Sequence, residues 1–340
     1  MRVKVEHFVD LDAVTADAAG ALDPDAQARL YDTLDWYRLT RDHISPAVPL
    51  HVVRARGEAG AMWLFLAARG GGSADPFGSW YTLRYAPIFG GPPDPSLAVA
   101  ALKALRKRFG RISLQPLAES DLLLLQNACK TAGWWSRHTV QTANWVAHTA
   151  GLDFPAYWAA RPKQLQNTVR RKAAKAQIDI RLLDTFDPLA WDQYEAVFAA
   201  SWKGGAEGSP AFLRALARHA AALGRLRMGL AYDPAGTPLA AQFWTVDAGI
   251  ATIHKLAYVD AAKALSPGSI LSHAMFEHVI TRDRPAAIDF GTGDDPYKAD
   301  WMDEKRSLHR LDAYNSASLR GLAAYARSEA GELVARWRSA

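Results

Sequence analysis

The spacing of hydrophobic positions changes several times along this chain, and each change marks an element. Leu30, Leu34 and Tyr37 recur at helical intervals behind Asp23-Pro24, so residues 22–41 predict a helix. Short apolar runs at 50–54 and 61–67, parted by Gly57 and Gly60, predict strands. A helix is expected over 95–109, a strand over 111–115, and a further helix over 119–132 closed by Gly133. Glycine-rich 70–78 has no P-loop lysine-serine pair and reads as a surface loop.

The pattern then repeats in another form. A strand at 141–147 and helices at 154–176, 188–201 and 210–223 lead into a meander of strands at 227–232, 238–246 and 250–258. Its turns, Asp233-Pro234-Ala235-Gly236 and Asp247-Ala248-Gly249, hold the residue types that relieve turn strain. A helix over 268–281 and a strand over 286–290 follow. This order suits an α/β (α+β) fold with mixed sheets in two domains. The expected division is 1–140, 141–325 and a helical tail at 326–340.

Composition narrows the function. A length of 340 residues, 49% hydrophobic, supports a substantial core and favours two domains. The single cysteine, Cys129, excludes an intramolecular disulfide and suits a core thiol in a reducing compartment. The start lacks a signal-peptide core and no run of about 18 apolar residues occurs, so a cytoplasmic protein without membrane insertion is expected. Forty Lys plus Arg against 35 Asp plus Glu give a net charge of +5, enough to steer anions without demanding nucleic acid. Arg161, Lys163, Arg170, Arg171, Lys172 and Lys175 concentrate this charge on helix 154–176, which reads either as a solvated face or as a site for phosphate, an anionic acceptor or a polynucleotide.

Two segments carry the candidate chemistry. Ser266-Pro267-Gly268-Ser269 joins a strand to a helix: Ser266 is placed to cap, Pro267 fits the first helical position, and Gly268 admits a ligand to the backbone. The N–H groups of Gly268, Ser269 and Ile270 then present an anion site suited to pyrophosphate. The next strand ends in Asp289-Phe290-Gly291-Thr292-Gly293-Asp294-Asp295-Pro296-Tyr297-Lys298, with Trp301 beyond, clustering acids, a tyrosine and a lysine at the sheet mouth. Its spacing does not fit a calcium loop, and no metal is expected. No glycine-x-serine-x-glycine elbow of a serine hydrolase occurs.

Tyr258, Ser266 to Leu271 and Asp289 to Trp301 together resemble the CelD-like, cellulose-biosynthesis-type branch of the GNAT acetyltransferase superfamily. Looser likeness in the basic helix, in Trp202-Lys203 and in 240–243 extends the resemblance over 154–301. It implies tandem GNAT-like domains, the first degenerate, an architecture also seen in Fem-type aminoacyltransferases that use aminoacyl-tRNA. The implied reaction is direct attack of an amine, on a small molecule or a peptide, on acyl-CoA. Charged tRNA is the alternative donor, and an inactive binding protein is a third reading. Asp289, His254 and Tyr258 are the catalytic candidates, with Asp289 first as general base. Ser266, Gly268, Ser269 and Ile270 are assigned to the donor; Trp202, Lys203, Tyr297, Lys298 and Trp301 to substrate.

Overall fold

The computed structural model describes residues 3–201 and 208–339. Two compact units share the chain: one holds residues 1–142 and 307–340, the other 143–306. The expected boundary near 140 lies close to the first crossing, but 307–325 belong with the first unit. The reason is a strand that runs through both segments, Glu304–Asn315.

The first unit begins with β1 (Lys4–Phe8), α1 (Leu11–Ala18) and α2 (Leu34–His43). Helix α1 was not expected; Asp10 caps it by accepting from the Ala13 N–H at 2.9 Å. The helix expected over 22–41 starts only at Leu34, because Thr33 stands in extended backbone and its hydroxyl accepts from the Trp36 N–H. Strands β2 (Leu50–Arg56), β3 (Ala61–Arg69), β4 (Ser73–Pro76) and β5 (Ile88–Gly90) precede α3 (Pro95–Leu105), β6 (Arg111–Leu117), α4 (Glu119–Ala132) and β7 (Trp134–His148). Part of the expected glycine loop is thus strand: β4 pairs antiparallel with β3 and parallel with β6. Leu64, Leu66, Leu102, Ile112 and Leu125 are wholly buried between sheet and helices. Cys129 lies in the same core, where burial pushes its thiol up to about 12.

In the second unit, α5 (Phe154–Ala159) and α6 (Lys163–Ala176) replace one expected helix. Pro162 separates them, since it lacks the N–H a continuous helix needs. Then come β8 (Asp179–Leu183), α7 (Pro188–Ala199), α8 (Pro210–Ala222), β9 (Leu226–Tyr232), β10 (Pro238–Asp247), β11 (Ile250–Tyr258), α9 (Pro267–Asp283) and β12 (Ala287–Thr292). The sheet runs β7-β12-β11-β10-β9-β8, with β11 and β12 its parallel pair. Ala248 and Gly249 both take positive φ, the requirement of a tight two-residue hairpin turn between β10 and β11. Helix α9 crosses β9, β10 and β11, burying Leu271, Met275, Phe276 and Val279. It approaches closely because β9 offers Gly229 there: a Cβ at that position would stand 2.6 Å from the Met275 sulfur.

The chain closes with β13 (Glu304–Asn315) and α10 (Leu319–Ser339). β13 pairs antiparallel with β6 from His309 to Tyr314, completing the first unit's sheet. Among the described residues, no helix is long and apolar enough to cross a membrane.

Candidate active site

Strands β11 and β12 stay paired over three residues only, Ile250 to Thr252 against Ala287 to Asp289, and then part. Each is irregular where they separate. On β11, Phe243 faces Lys255 and Trp244 faces Ile253, so His254 is an extra residue that bends the strand. On β12 the register against β7 slips between Asp289 and Thr292. Gly291, at φ 72°, makes that turn, and its N–H donates to Asp289 Oδ1 at 2.7 Å.

The opening is a cavity of about 400 Å³. Leu256 and Tyr258 line it from β11, Phe290 from β12, and Leu165 from α6. The far wall is a short 3-10 turn, Pro296–Asp300, followed by Trp301; Tyr297, Asp300 and Trp301 contribute to the lining. That wall is pinned from behind. The Trp301 carbonyl accepts from Tyr157 Oη at 2.7 Å and from Arg161 Nη1 at 2.8 Å. Arg161 is itself buried, paired with Asp303 and set over the Tyr157 ring.

The N-terminus of α9 forms the remaining side, through Ser266, Gly268, Ser269 and Ser272. Ser266 does not cap as expected: its backbone is left-handed (φ 56°, ψ 44°), and its side chain makes no capping hydrogen bond. The Ile270 N–H is also not available, because it donates to the Ser266 carbonyl at 3.2 Å. Pro267 has no N–H, which leaves those of Gly268 and Ser269 as the orphan donors of the first turn. Gly268 also packs closely on Tyr258: a Cβ there would meet Tyr258 Cδ1 at 3.1 Å, so the ring would have to shift. Beneath the turn, Trp244 Nε1 donates to Gln242 Oε1 at 3.0 Å, and Gln242 Nε2 donates to Ser272 Oγ at 2.6 Å. This buried chain of polar groups fixes the helix end on β10.

The structure brings Tyr258, Ser266, Gly268, Ser269, Tyr297 and Trp301 to one cavity. It does not bring Asp289, His254 or Lys298 there. Asp289 serves the bulge, holding the Gly291 N–H and accepting from Asn144 Nδ2 at 3.2 Å. His254 Nε2 lies 2.9 Å from Thr245 Oγ1, and its ring stacks on Phe243. Burial, with help from the Lys255 charge, lowers its pKa to about 3, so it is a poor proton acceptor. Lys298 is buried with its ammonium on the Thr292 carbonyl at 2.6 Å, over the Phe290 ring and 3.7 Å from Asp295. It ties down the β12 exit rather than offering charge to a substrate. Trp202 and Lys203 lie outside the described residues. Sequence reasoning missed Asp300, the one carboxylate lining the cavity among the described residues, and Lys263, its one lysine. Asp300 stands inside the quoted motif and only the 3-10 turn aims it. Among the described residues, no group of three or more His, Cys, Asp or Glu is placed to hold a metal ion.

Residues 162–299 match the family model described as an acetyltransferase (GNAT) domain. No curated protein matches the chain significantly. Among solved structures it is similar to the C-terminal domain of a putative lysylphosphatidylglycerol synthetase from Agrobacterium fabrum (14% identity, 92% of this chain and 95% of that one, TM-score 0.59). It is similar to FemX (8%, 82% and 94%, 0.57) and to a tandem GNAT protein from the clavulanic acid biosynthesis pathway (12%, 93% and 100%, 0.52). At these identities the likeness is one of fold. Residues 162–299 are thus similar to a GNAT acetyltransferase domain, within a chain that shares the fold of a tandem GNAT protein.

Proposed function

We propose that the chain transfers an acyl group from acyl-CoA to an amine of a small molecule or peptide, using the cavity between β11 and β12. The observation that carries this is the coincidence of three features: parallel strands that part, an unpaired β11 edge beyond Thr252, and orphan N–H groups of α9 at the same opening. Gly268 and Ser269 receive the donor's pyrophosphate at the positive end of the helix. The thioester arm lies along the free edge of β11, whose backbone N–H groups stabilise the oxyanion as the amine attacks. Asp300 accepts the amine proton, the carbon–sulfur bond breaks, and Tyr297 returns a proton to the departing thiolate. Tyr258 holds the donor against Gly268. The motif from Asp289 to Trp301 supports the CelD-like branch, and the single cysteine suits a cytoplasmic setting.

Titration calorimetry with coenzyme A and acetyl-CoA tests the donor. Binding by the wild type, weakened in Gly268→Val, is expected; no binding of either excludes acyl-CoA.

A second reading, aminoacyl transfer from charged tRNA, has an observation of its own. Arg170, Arg171 and Lys175 of α6 are exposed, and Lys172 Nζ donates to the Ala264 carbonyl at 2.6 Å, two residues before Ser266. With Lys263 this places a basic track beside the α9 N-terminus, suited to a polynucleotide end. Salt-sensitive tRNA binding without coenzyme A binding favours that reading.

A further inference from the structure

The first unit contains a groove of about 840 Å³ that the acyl-transfer site does not use. Its floor is the start of the parallel pair β4 and β6, and its lid is the first half of α10. Arg111, Arg310, Arg320 and Arg327 face it with one carboxylate, Asp312. Asp312 holds two of them together: Oδ1 accepts from Arg111 Nη2 at 2.7 Å and Arg310 Nη2 at 3.2 Å, while Oδ2 stands 2.9 Å from Arg310 Nε. Asp312 is thus engaged by Arg111 and Arg310, and no other carboxylate among the described residues lines the groove beside Arg320 and Arg327. Arg320 and Arg327, seven residues apart, occupy one face of α10, with the small Ala323 and Ala324 between them.

Close backbone packing seats α10, and with it Arg320, against the groove floor. The Gly110 N–H donates to the Gly72 carbonyl at 2.7 Å, and the Asn315 N–H donates to the Gly110 carbonyl at 2.8 Å. A Cβ on Gly110 would lie 2.9 Å from Arg320 Cβ, and one on Gly72 would lie 3.2 Å from Arg320 Nη1. The glycine stretch that resembles no P-loop is therefore a close-fitting seat for α10. Hydroxyls of Ser73, Thr139, Tyr314 and Ser328 add neutral donors to the lining.

We infer that this arginine groove binds a ligand carrying two or more phosphate groups, of about nucleotide size. Planar guanidinium forks match phosphate oxygens two at a time, and four of them converge on a space of nucleotide dimensions. The acyl-transfer proposal is not a premise, since every residue invoked belongs to the first unit.

The test is calorimetric titration of the full chain with pyrophosphate, with ADP, and with phosphatidylglycerol vesicles. The same titrations are run on Arg320→Ala/Arg327→Ala, both exposed positions, and hydrogen exchange locates the contact. Wild type is expected to bind pyrophosphate or ADP with an affinity that falls as salt rises, and to gain protection at 70–73 and 319–328. The double variant is expected to lose about tenfold or more in affinity while its melting temperature is unchanged and acetyl-CoA still protects 266–270. If vesicles alone bind, the groove takes a single lipid phosphate and the inference of a polyphosphate ligand is overturned. The inference is overturned if no phosphate probe binds wild type, if the double variant binds equally well, or if protection appears only at 266–270.

Discussion

Single residues in this site work mostly by fixing backbone, and Lys298 shows it best. With its buried ammonium on the Thr292 carbonyl, Lys298→Met removes a charge-assisted hydrogen bond and is expected to cost about 1–3 kcal/mol of stability. Donor affinity in the folded variant should keep its full salt dependence, measurable by titration at two ionic strengths. A loss of that dependence would return the lysine to the substrate. His254 gives a pH signature. Its folded pKa, about 3, lies below the ordinary value of 6.5, so the neutral form is favoured by folding. That contribution is complete above pH 6.5 and declines as pH falls toward 3. Urea unfolding between pH 7 and 5, where carboxylates change little, should show a shallower decline in His254→Gln than in wild type. Equal slopes would mean that the ring is not held neutral.

At the scale of elements, what could be read in advance depended on whether the deciding partners were local. The β9–β11 meander was legible because Gly236, Ala248 and Gly249 sit where the turns need positive φ. The break at Pro162 was written in the sequence as well, though the apolar rhythm across it masked the stop. The helix expected at 22–41 failed because Thr33 caps a later start. Inside the site, motif spacing located the cavity's residues but not their duties. Nothing near Asp289 in sequence announces that Asn144 will meet it, 145 residues away. The seat of α9 supplies the element-scale prediction. Gly229→Ala pushes a Cβ into Met275 and Leu271, which should cost about 1–3 kcal/mol in chemical denaturation. Met275→Ala should cost less in the Gly229→Ala background than in wild type, a coupling seen in a double-mutant cycle. Strict additivity would show that the two residues do not meet.

For the whole molecule, the unexpected feature is how the chain is divided. Strands β7 and β13 each begin in one unit and end in the other, which no local pattern reveals because strand pairing is set by distant sequence. Residues 1–140 expressed alone lack the segment that pairs with β6, so a hydrophobic edge is left open. Such a fragment is expected to aggregate or to lack cooperative unfolding by circular dichroism; a stable, cooperatively folding monomer would show that β13 is dispensable to the first unit.

The claim on which the function rests is that a thioester donor enters where β11 and β12 part, with its phosphates on α9. Hydrogen exchange of the full chain with and without acetyl-CoA addresses it directly. Slowed exchange at 256–258 and 266–270, abolished in Gly268→Val at the same ligand concentration, is the expected result. Binding that leaves those residues unprotected, or protection there by aminoacyl-tRNA and not by acetyl-CoA, would contradict it.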